Sequence, residues 1–300
     1  MTHEIHFRAM GTDCHVIVVD GDPSDAEWAE HEVRRLEALW TRFDDSSEIS
    51  RANAAAGVPM AVSPETRALA RRALRAERLT GGRFDPLLGG ELIALGYDRD
   101  HGLLTAAAGP TARVAMSPAV RQAGPSLVVD APRGCITVPR GRSLDAGGIG
   151  KGLAADMVSA GLMRRGAQGA LVNLGGDLRC RGDGPSGEWR VGIDHPDDPS
   201  LPSVARVTLH HGALCTSGVR KRRWRRADGT EAHHLLDPAT GRPTDAEVSQ
   251  VSVIAPRAWL AEALTKAVIL AGPDAASTLL ARHDAGAVVV LADGTAHRLP

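Results

Sequence analysis

The sequence predicts an α+β fold of mixed or antiparallel sheets with flanking helices. In several segments apolar residues recur every three or four positions, whereas shorter apolar runs are typical of strands. These strands and helices alternate without the regular spacing of βαβ units. Of the 300 residues, 43% are hydrophobic, which is typical of a globular protein with a sizeable core and excludes a disordered chain.

The first third of the chain is predicted to hold one strand and two helices. Residues 14–19 form an apolar run typical of a strand. Apolar residues recur at helical spacing over 23–43 and predict a helix of about five turns. Residues 44–53 are polar and predict a connection, because Ser and Asp favour turns. A second helix is predicted to begin at Pro64, with Ser63 as its N-cap.

The rest of the chain is predicted to contain more strands than helices. Residues 100–125 are rich in Ala, Gly and Pro, which is typical of a variable connection. The elements predicted after it are a hairpin over 126–138, a helix over 151–165, strands over 170–173, 189–193, 205–209 and 250–255, helices over 259–271 and 274–283, and a strand over 287–291.

Charge and composition exclude several classes of protein. The net charge of -1 argues against a general binder of polyanions, and an aromatic content of 3% argues against stacking platforms for single-stranded nucleic acid. The four cysteines occur singly, without metal-ligand spacing, and are expected to be buried in a reducing compartment. The first residues lack the apolar core of a signal peptide, and no segment has the length of a membrane span. We therefore expect a cytoplasmic protein that is not an integral membrane protein.

The stretch 144–156 is the strongest candidate for a ligand site. It combines Lys151 and two carboxylates with four glycines. The glycines are Gly147, Gly148, Gly150 and Gly152. They are expected to take positive φ and to let the backbone approach a ligand, while the amides at the start of the following helix favour an anion. The spacing matches neither a Walker loop nor a dinucleotide fingerprint, so a phosphate site and a tight turn that caps an ordinary helix both remain open.

Lysine is rare in this chain. Among 35 basic residues there are only three lysines, at positions 151, 221 and 266. A lysine in such a background is consistent with a need for a compact ammonium group with an adjustable pKa. Lys151 is therefore a candidate for chemistry within the glycine-rich stretch.

Polar residues in three other segments are further candidates. Asp85 lies in a loop that two glycines introduce, and Asp177 follows Gly175 and a second glycine. Thr216, Ser217 and Gly218 follow a predicted strand and supply hydroxyl groups and a glycine amide, although taken alone the segment favours a plain turn.

The segment 233–243 places a histidine three residues before an aspartate. His234 could act as a general base that Asp237 orients, or it could be an ordinary loop histidine. The nearby run 221–226 is strongly basic. Because the net charge of the chain is close to zero, this run is interpreted as one arm of an exposed hairpin, and no nucleic-acid partner is expected.

Eight segments of the chain resemble one family in their order and spacing. They are residues 10–12, 47–53, 82–86, 145–156, 173–177, 216–218, 234–241 and 261–272. Together they resemble the ApbE-type flavin transferases, which are FAD:protein FMN transferases. The resemblance implies an ApbE-like fold related to the T-fold. It also implies one domain over 1–300. This domain could consist of two closely packed subdomains with the FAD site between them.

The resemblance implies a reaction and a set of residues. The family binds FAD, and a divalent metal such as Mg²⁺ assists attack of a protein threonine hydroxyl on the FAD pyrophosphate, with release of AMP. The implied catalytic residues are His234 as the base, Asp237, and Lys151, which would neutralise the pyrophosphate. The implied FAD-binding residues are Met10, Asp85, Asp145, Gly147, Gly148, Gly150, Lys151, Gly175, Asp177, Thr216, Ser217, Gly218 and His234.

The implied metal site departs from the family pattern. The resemblance implies a backbone carbonyl, here that of Gly150, and an Asp and a Thr four residues apart on a helix. Glu262 stands at the Asp position and Lys266 at the Thr position, with Thr265 beside it. An ammonium group does not coordinate a metal, and residues four apart on a helix can form an ion pair. Three outcomes stay open. Lys266 replaces the charge of the metal, Glu262 reaches a displaced ion whose shell Thr265 or the cofactor pyrophosphate completes, or the chain binds flavin without transferring it.

The implied partner is an acceptor flavoprotein that carries a threonine in a short motif containing Ser-Gly. Two other functions stay open at this point. One is an FAD pyrophosphatase that yields FMN and AMP, and the other is a non-catalytic FAD-binding protein. The sequence determines neither the acceptor nor the oligomeric state.

Overall fold

A computed structural model of the protein describes residues 1–99, 104, 126–198, 200–220, 222–226, 229–245 and 247–300. The predicted connection over 100–125, apart from Leu104, and Lys221 lie outside the described residues. The chain divides into two compact units. The first consists of Met1–Glu37, Ile149–Gly218 and Ala246–Pro300, and the second of Ala38–Gly148 and Val219–Asp245.

In chain order, the described residues form β1 (Thr2–Ala9), β2 (Thr12–Val19), α1 (Asp25–Trp40), α2 (Glu48–Ala54), β3 (Met60–Ala61), α3 (Pro64–Leu79), α4 (Gly89–Ala94), β4 (Val128–Asp130), β5 (Cys135–Thr137), α5 (Gly150–Arg164), β6 (Gly169–Leu174), β7 (Asp177–Gly182), β8 (Trp189–Ile193), β9 (Ala205–Leu209), β10 (Gly212–Gly218), β11 (Arg223–Arg225), β12 (Glu231–His233), β13 (Leu236–Asp237), β14 (Arg242–Pro243), β15 (Val248–Ala255), α6 (Ala258–Ala281), β16 (Gly286–Leu291) and β17 (Ala296–Leu299).

The first unit is built on a sheet of eight strands in the order β1-β2-β6-β7-β10-β15-β16-β17. Every neighbouring pair in this sheet is antiparallel. The antiparallel sheet with its flanking helices confirms the predicted α+β class. None of the helices in the described part of the chain combines the length and the apolarity that crossing a membrane requires.

Both faces of this sheet are covered. Successive residues of a strand point to opposite faces, and in β10 Leu214 packs in an apolar cluster with the β8–β9 hairpin, whereas the Cys215 thiol donates to the carbonyl of Ala258 in α6. The helices α5 and α6 therefore lie on one face and the β8–β9 hairpin on the other. The helix α1 packs on α5, where a Cβ at Gly161 would meet the ring of Trp28.

The helix α6 is interrupted at Gly272, where φ is 72°, and Pro273 follows at once. Pro fixes its own φ and removes a donor, and Gly tolerates the left-handed region, so the two residues end one helical run and start another. The sequence-based prediction of two helices, over 259–271 and 274–283, is confirmed by this break.

The second unit contains the short helices α2 to α4 and several small sheets. The strands β3, β5 and β4 form a three-stranded sheet, and β11 pairs with β12 as the predicted exposed hairpin. Trp224 of this hairpin is buried with Leu92, Leu95 and Tyr97, and its indole nitrogen donates to the carbonyl of Leu95 at 2.8 Å. The apolar body of the indole is thus buried while its polar atom is satisfied.

Two predictions of local structure are wrong. Residues 44–53 do not form only a polar connection, because α2 starts after Ser47, whose hydroxyl accepts a hydrogen bond from the amide of Ser50 and which therefore caps the helix. Burial of Ile49 and Ala52 holds this short helix in place. Thr216, Ser217 and Gly218 belong to β10 itself and do not form a turn after it.

Candidate functional site

The glycine-rich stretch leads into the first turn of α5. The helix begins at Gly150, and Ile149 before it provides no side-chain cap. Instead, Oε2 of Glu262 in α6 accepts a hydrogen bond from the amide of Gly152 at 2.7 Å. The first amides of a helix lack partners within the helix, and a carboxylate both satisfies them and complements the helix dipole. The chain thus supplies its own anion to this helix end.

The prediction that the four glycines of the stretch 144–156 take positive φ is wrong. None of the four, all of which the structure describes, has a positive φ. The reason at Gly152 is close packing, because a Cβ there would lie 2.4 Å from the carbonyl oxygen of Ala258. At Gly148 a Cβ would lie 2.8 Å from a ring carbon of Phe84. These glycines allow the backbone to approach other parts of the protein closely.

Four charged side chains meet at the start of α5, and we call them the lysine–carboxylate quartet: Lys151, Asp177, Glu262 and Lys266. The ammonium of Lys151 contacts Oδ2 of Asp177 directly. Oε1 of Glu262 lies 3.6 Å from the ammonium of Lys151 and 3.5 Å from that of Lys266. The side chains of Asp177 and Glu262 are 1% and 0% exposed, whereas those of Lys151 and Lys266 are 15% and 14% exposed. The two positive and two negative charges balance.

The quartet does not fit a divalent metal. One oxygen of Glu262 is held by the Gly152 amide, and the other faces two ammonium groups, which would repel a dication. The Thr265 hydroxyl donates to the carbonyl of Glu262 at 2.7 Å and lies 2.7 Å from the Ser217 hydroxyl. The Thr265 and Ser217 hydroxyls are therefore engaged in contacts within the protein, whereas Oδ1 of Asp177 is buried without a hydrogen-bond partner.

A second buried ion pair fixes the beginning of α6. Oδ2 of Asp156 in α5 accepts a hydrogen bond from the amide of Trp259 at 3.1 Å, and Oδ1 lies 3.1 Å from Nε of the fully buried Arg179. Burial raises the pKa of Asp156 and lowers the pKa of Arg179 to about 10, so the guanidinium remains charged at neutral pH. This pair links α5 and β7 to the first turn of α6, and α6 is the helix that carries Glu262.

The side-chain hydroxyls of Thr216 and Ser217 in β10 each lie within hydrogen-bond distance of another hydroxyl. Thr216 Oγ1 lies 2.8 Å from the hydroxyl of Ser252, its neighbour in β15, and Ser217 Oγ lies 2.7 Å from Thr265 Oγ1 in α6. Ser217 is buried, whereas Thr216 is half-buried. The strand thus connects the sheet to the helix that carries Glu262 and Lys266.

Two tight turns lie side by side at one end of the large sheet. Met10 joins β1 to β2 with a φ of 52°, and its amide donates to Glu37 at 2.5 Å. Gly175 joins β6 to β7 with a φ of 69°, and a Cβ there would lie 2.0 Å from Oγ1 of Thr12. Asp177 follows this second turn directly. Among the predicted residues, the structure therefore brings Met10 and Gly175 to the same sheet end as Asp177.

In the second unit, two predicted carboxylates are paired with arginines. Asp85 accepts a hydrogen bond from Arg142 at 2.6 Å and another from the amide of Leu87 at 2.8 Å. Asp145 accepts one from the amide of Gly147 at 2.9 Å, and its carboxylate lies 3.8 Å from Nε of Arg42. Sequence reasoning singled out neither arginine, since arginine is common in this chain and nothing in the sequence marks these two.

The two adjacent histidines differ in their surroundings. His233 is buried, its Nε2 lies 3.0 Å from the carbonyl of Thr244, and its Nδ1 accepts from the amide of Leu235 at 3.3 Å. Burial lowers the pKa of His233, so the ring is neutral at neutral pH, with the proton on Nε2. His234 lies in the short segment between β12 and β13 and is half-buried.

Asp237 organises the turn that follows His234. Its carboxylate accepts hydrogen bonds from the amide of Ala239 at 2.9 Å and from the hydroxyl of Thr240 at 3.4 Å. Its carbonyl accepts one from the amide of Gly241 at 2.7 Å. These contacts are those of an Asx-type turn and give Asp237 a structural role in the segment.

A separate group of side chains lies on the β1–β2 hairpin. His6 and His15 are directly opposite each other, and their rings stack with centroids 4.0 Å apart. Glu4 Oε2 lies 3.1 Å from Nε2 of His15. One ligand atom from each of these three side chains lies within 4.8 Å of the others, which is close enough to hold a metal ion.

Comparison with known proteins gives consistent matches. The model of the ApbE family matches residues 10–291. A protein of Treponema pallidum named FAD:protein FMN transferase is 32% identical over 292 residues, which cover 90% of this chain and 79% of that protein. A protein of the same name from Rhodobacter capsulatus is 29% identical over 96% of this chain, but the match covers 49% of that protein.

Solved structures share the fold. The crystal structure of an ApbE protein from Thermotoga maritima superposes with a TM-score of 0.86 and 27% identity, covering 100% of this chain and 97% of that one. The flavin transferase ApbE from Vibrio cholerae superposes with a TM-score of 0.76 and 21% identity, covering 100% and 98%. At 21% identity the second match supports only the similarity of fold.

Proposed function

Because the chain belongs to the ApbE family, we propose that it is an FAD:protein FMN transferase. The hydroxyl of an acceptor threonine attacks the phosphorus of the FMN half of FAD, and the bond from that phosphorus to the bridging oxygen breaks. AMP leaves with that oxygen, the hydroxyl proton passes to a base, and FMN stays on the acceptor as a phosphoester. Such a transfer depends on positioning and on stabilising charge.

The observation that carries this proposal is the lysine–carboxylate quartet. Its carboxylates are buried and its lysine side chains are partly exposed, so an approaching pyrophosphate meets Lys151 and Lys266 before it meets Asp177 or Glu262. Ammonium groups held in advance at the place where charge develops on the leaving AMP stabilise the transition state. The quartet therefore provides electrostatic stabilisation at the pyrophosphate.

His234 is the proposed base for the acceptor hydroxyl. The neighbouring His233 is unsuited to this role, since its two ring nitrogens are bound to the backbone and its proton is fixed on Nε2. A neutral histidine within reach of the hydroxyl accepts its proton as the new bond forms. Asp237 holds the turn that follows and so positions the segment that carries His234.

Further FAD contacts are proposed for each unit separately. In the first unit, the turns at Met10 and Gly175 and the β10 segment at Gly218 offer backbone groups to the cofactor. In the second unit, Asp85 and Asp145 offer carboxylates that paired arginines hold in place. Carboxylate oxygens accept hydrogen bonds from hydroxyl and amine groups, which the ribityl chain, the ribose and the adenine of FAD contain.

The acceptor is proposed to be a flavoprotein with a threonine in a short Ser-Gly-containing motif. A small residue beside the threonine lets the acceptor backbone come close to the transferase. A hydroxyl that is fully exposed in an extended peptide can reach the phosphorus without unfolding the acceptor.

The test uses the purified protein, FAD and two peptides. One peptide contains Ser-Gly and the acceptor threonine, and the other is identical except for alanine at the threonine. Liquid chromatography measures AMP, and mass spectrometry measures FMN on the peptide. We expect one FMN phosphoester and one AMP for each threonine peptide consumed, and neither product with the alanine peptide.

Two results would overturn the proposal, and they differ from each other. Release of FMN and AMP at equal rates with either peptide, without labelled peptide, would identify an FAD pyrophosphatase. Tight binding of FAD with no AMP under any condition would identify a flavin-binding protein without turnover.

A further inference from the structure

We propose that the ammonium groups of Lys151 and Lys266 take the place of a divalent metal, so that transfer of FMN by this protein does not require Mg²⁺. This inference rests on the proposed function, because it concerns how the same site stabilises the pyrophosphate. It also makes a statement about metal binding that can be tested without turnover.

The charges of the quartet are the first argument. A metal site needs carboxylate oxygens that are open to the ion, but Glu262 is fully buried. Its Oε2 accepts a hydrogen bond from the Gly152 amide, and its Oε1, which has no hydrogen-bond partner, faces two ammonium groups. Two ammonium groups, 3.5 Å and 3.6 Å from the same oxygen, provide as much positive charge as one Mg²⁺ ion. A dication placed beside them would meet two like charges in a largely buried site.

The position of Lys266 is the second argument. It stands four residues after Glu262 on α6, so both side chains lie on the same face of the helix. The hydroxyl of Thr265, the nearest alternative oxygen ligand on that helix, is turned to Ser217 and to the carbonyl of Glu262. The helix therefore presents an ammonium group where an oxygen ligand would be needed.

The third argument is that lysines held in this way can stabilise the leaving group. An ammonium group has three donors and no acceptor, and the buried carboxylates of Asp177 and Glu262 restrain the two lysines. Positive groups that are fixed before the reaction need no reorganisation during it. The partly exposed lysine side chains provide such groups at the protein surface.

The experiment combines a binding measurement with an activity measurement. Binding of Mn²⁺ is followed by electron paramagnetic resonance, in a His15→Ala background because Glu4, His6 and His15 form a group that can hold a metal ion. Release of AMP with the threonine peptide is measured in EDTA and in Mg²⁺. The key variant is Glu262→Asp with Lys266→Thr, which removes one ammonium group and supplies a shorter carboxylate and a hydroxyl.

The unsubstituted site is expected to bind no Mn²⁺ and to release AMP at rates in EDTA and Mg²⁺ that agree within about two-fold. The double variant is expected to bind Mn²⁺ and to lose about 100-fold of its rate in EDTA, with recovery in Mg²⁺. Lys266→Met serves as a second variant if the double variant does not fold, and it should lose activity in both conditions. Arg190→Thr removes the cation of an exposed ion pair elsewhere and is the matched control.

Each outcome decides the inference. Binding of Mn²⁺ to the unsubstituted quartet, with activity that EDTA abolishes and Mg²⁺ restores, would overturn it and leave the transferase function intact. Absence of AMP in every condition, with FAD bound, would instead remove the transferase function. In that case the Mn²⁺ measurement still decides whether the quartet excludes a metal.

Discussion

Glu262 in α6 accepts a hydrogen bond from the amide of Gly152 in α5 at 2.7 Å, across 110 residues of sequence. The same carboxylate faces the ammonium groups of Lys151 and Lys266. One fully buried group therefore joins two helices and also holds two charged side chains in place.

Substitution of Glu262 is expected to destabilise the protein strongly. Glu262→Ala leaves the Gly152 amide without its acceptor and two ammonium groups without their shared counter-charge, which should lower the free energy of unfolding by about 3 to 5 kcal/mol. Urea denaturation measures the change. The half-buried Glu188, paired with the exposed Arg190, is the control, and Glu188→Ala should change the free energy by less than about 1 kcal/mol. Equal effects of the two substitutions would contradict the role of Glu262.

Gly152→Ala is expected to separate α5 from α6. The added Cβ would lie 2.4 Å from the carbonyl oxygen of Ala258, and such overpacking typically costs about 1 to 3 kcal/mol. Gly90 in α4 is the matched control, because the nearest atom to its added Cβ is 4.0 Å away. Gly90→Ala should leave the melting temperature unchanged or raise it, since alanine favours a helix. A melting temperature for Gly152→Ala at or above that of the unsubstituted protein would refute the close packing.

Lys151 and Asp177 are expected to be energetically coupled. Lys151→Met leaves the buried Asp177 carboxylate without its direct contact, and Asp177→Asn removes the charge that Lys151 needs. The double variant should therefore be more stable than the sum of the two single effects predicts, with a coupling of about 0.5 to 3 kcal/mol in a double-mutant cycle measured by urea denaturation. Additive effects would show that the pair contributes no specific interaction.

His233 and His234 are expected to affect different properties. His234→Ala removes the proposed base and should lower kcat by about 100-fold to 10,000-fold without a change in melting temperature. His233→Ala leaves the Thr244 carbonyl and the Leu235 amide without their partner and should lower the free energy of unfolding by about 1 to 3 kcal/mol. Kinetics and thermal denaturation of both variants distinguish these roles. Loss of stability in His234→Ala equal to that in His233→Ala would argue against an acid–base role.

The stability of the protein is expected to fall on acidification. Burial lowers the folded-state pKa of His233 below its ordinary value of 6.5, so the unfolded chain binds the proton more readily. The free energy of unfolding should be highest above pH 6.5 and should decrease as the pH falls through that value toward the folded-state pKa. His211, whose pKa is lowered by burial and by Arg179, contributes in the same direction.

Denaturant titrations between neutral and mildly acidic pH measure this effect. The loss of stability should be smaller in His233→Gln and in His211→Gln than in the unsubstituted protein. His297→Gln, on the exposed strand β17, should leave the slope unchanged. A slope that none of the substitutions alters would assign the acid sensitivity to other groups.

The sequence predicted the helix ends that depend on a capping or helix-breaking residue nearby in the chain. Ser63 caps α3 by accepting from the amide of Thr66, and Gly272 interrupts α6, both as predicted. The strand β1 was missed, although its exposed polar residues alternate with less exposed ones as in a half-buried strand. The helix α2 was missed because most residues around the Ser47 cap are polar, so the segment was interpreted as a connection.

The candidate site was predictable as a set of residues but not as a set of contacts. Lys151 and Asp177 were identified from glycine-rich segments, and Glu262 and Lys266 from the resemblance to the family. Nothing in their spacing shows that one carboxylate faces both ammonium groups. Such contacts depend on how α5, α6 and β7 pack. For the same reason the buried pair of Asp156 and Arg179, which holds the start of α6, has no signal in the sequence.

The scarcity of lysine makes the quartet accessible to selective chemical labelling. Two of the three lysines in the chain, Lys151 and Lys266, belong to it. An amine-reactive reagent therefore has few competing targets, and the extent of reaction at these two positions reports directly on the site. Protection of both lysines by FAD, followed by peptide mapping, would give a footprint of the bound pyrophosphate that requires neither a crystal nor an acceptor.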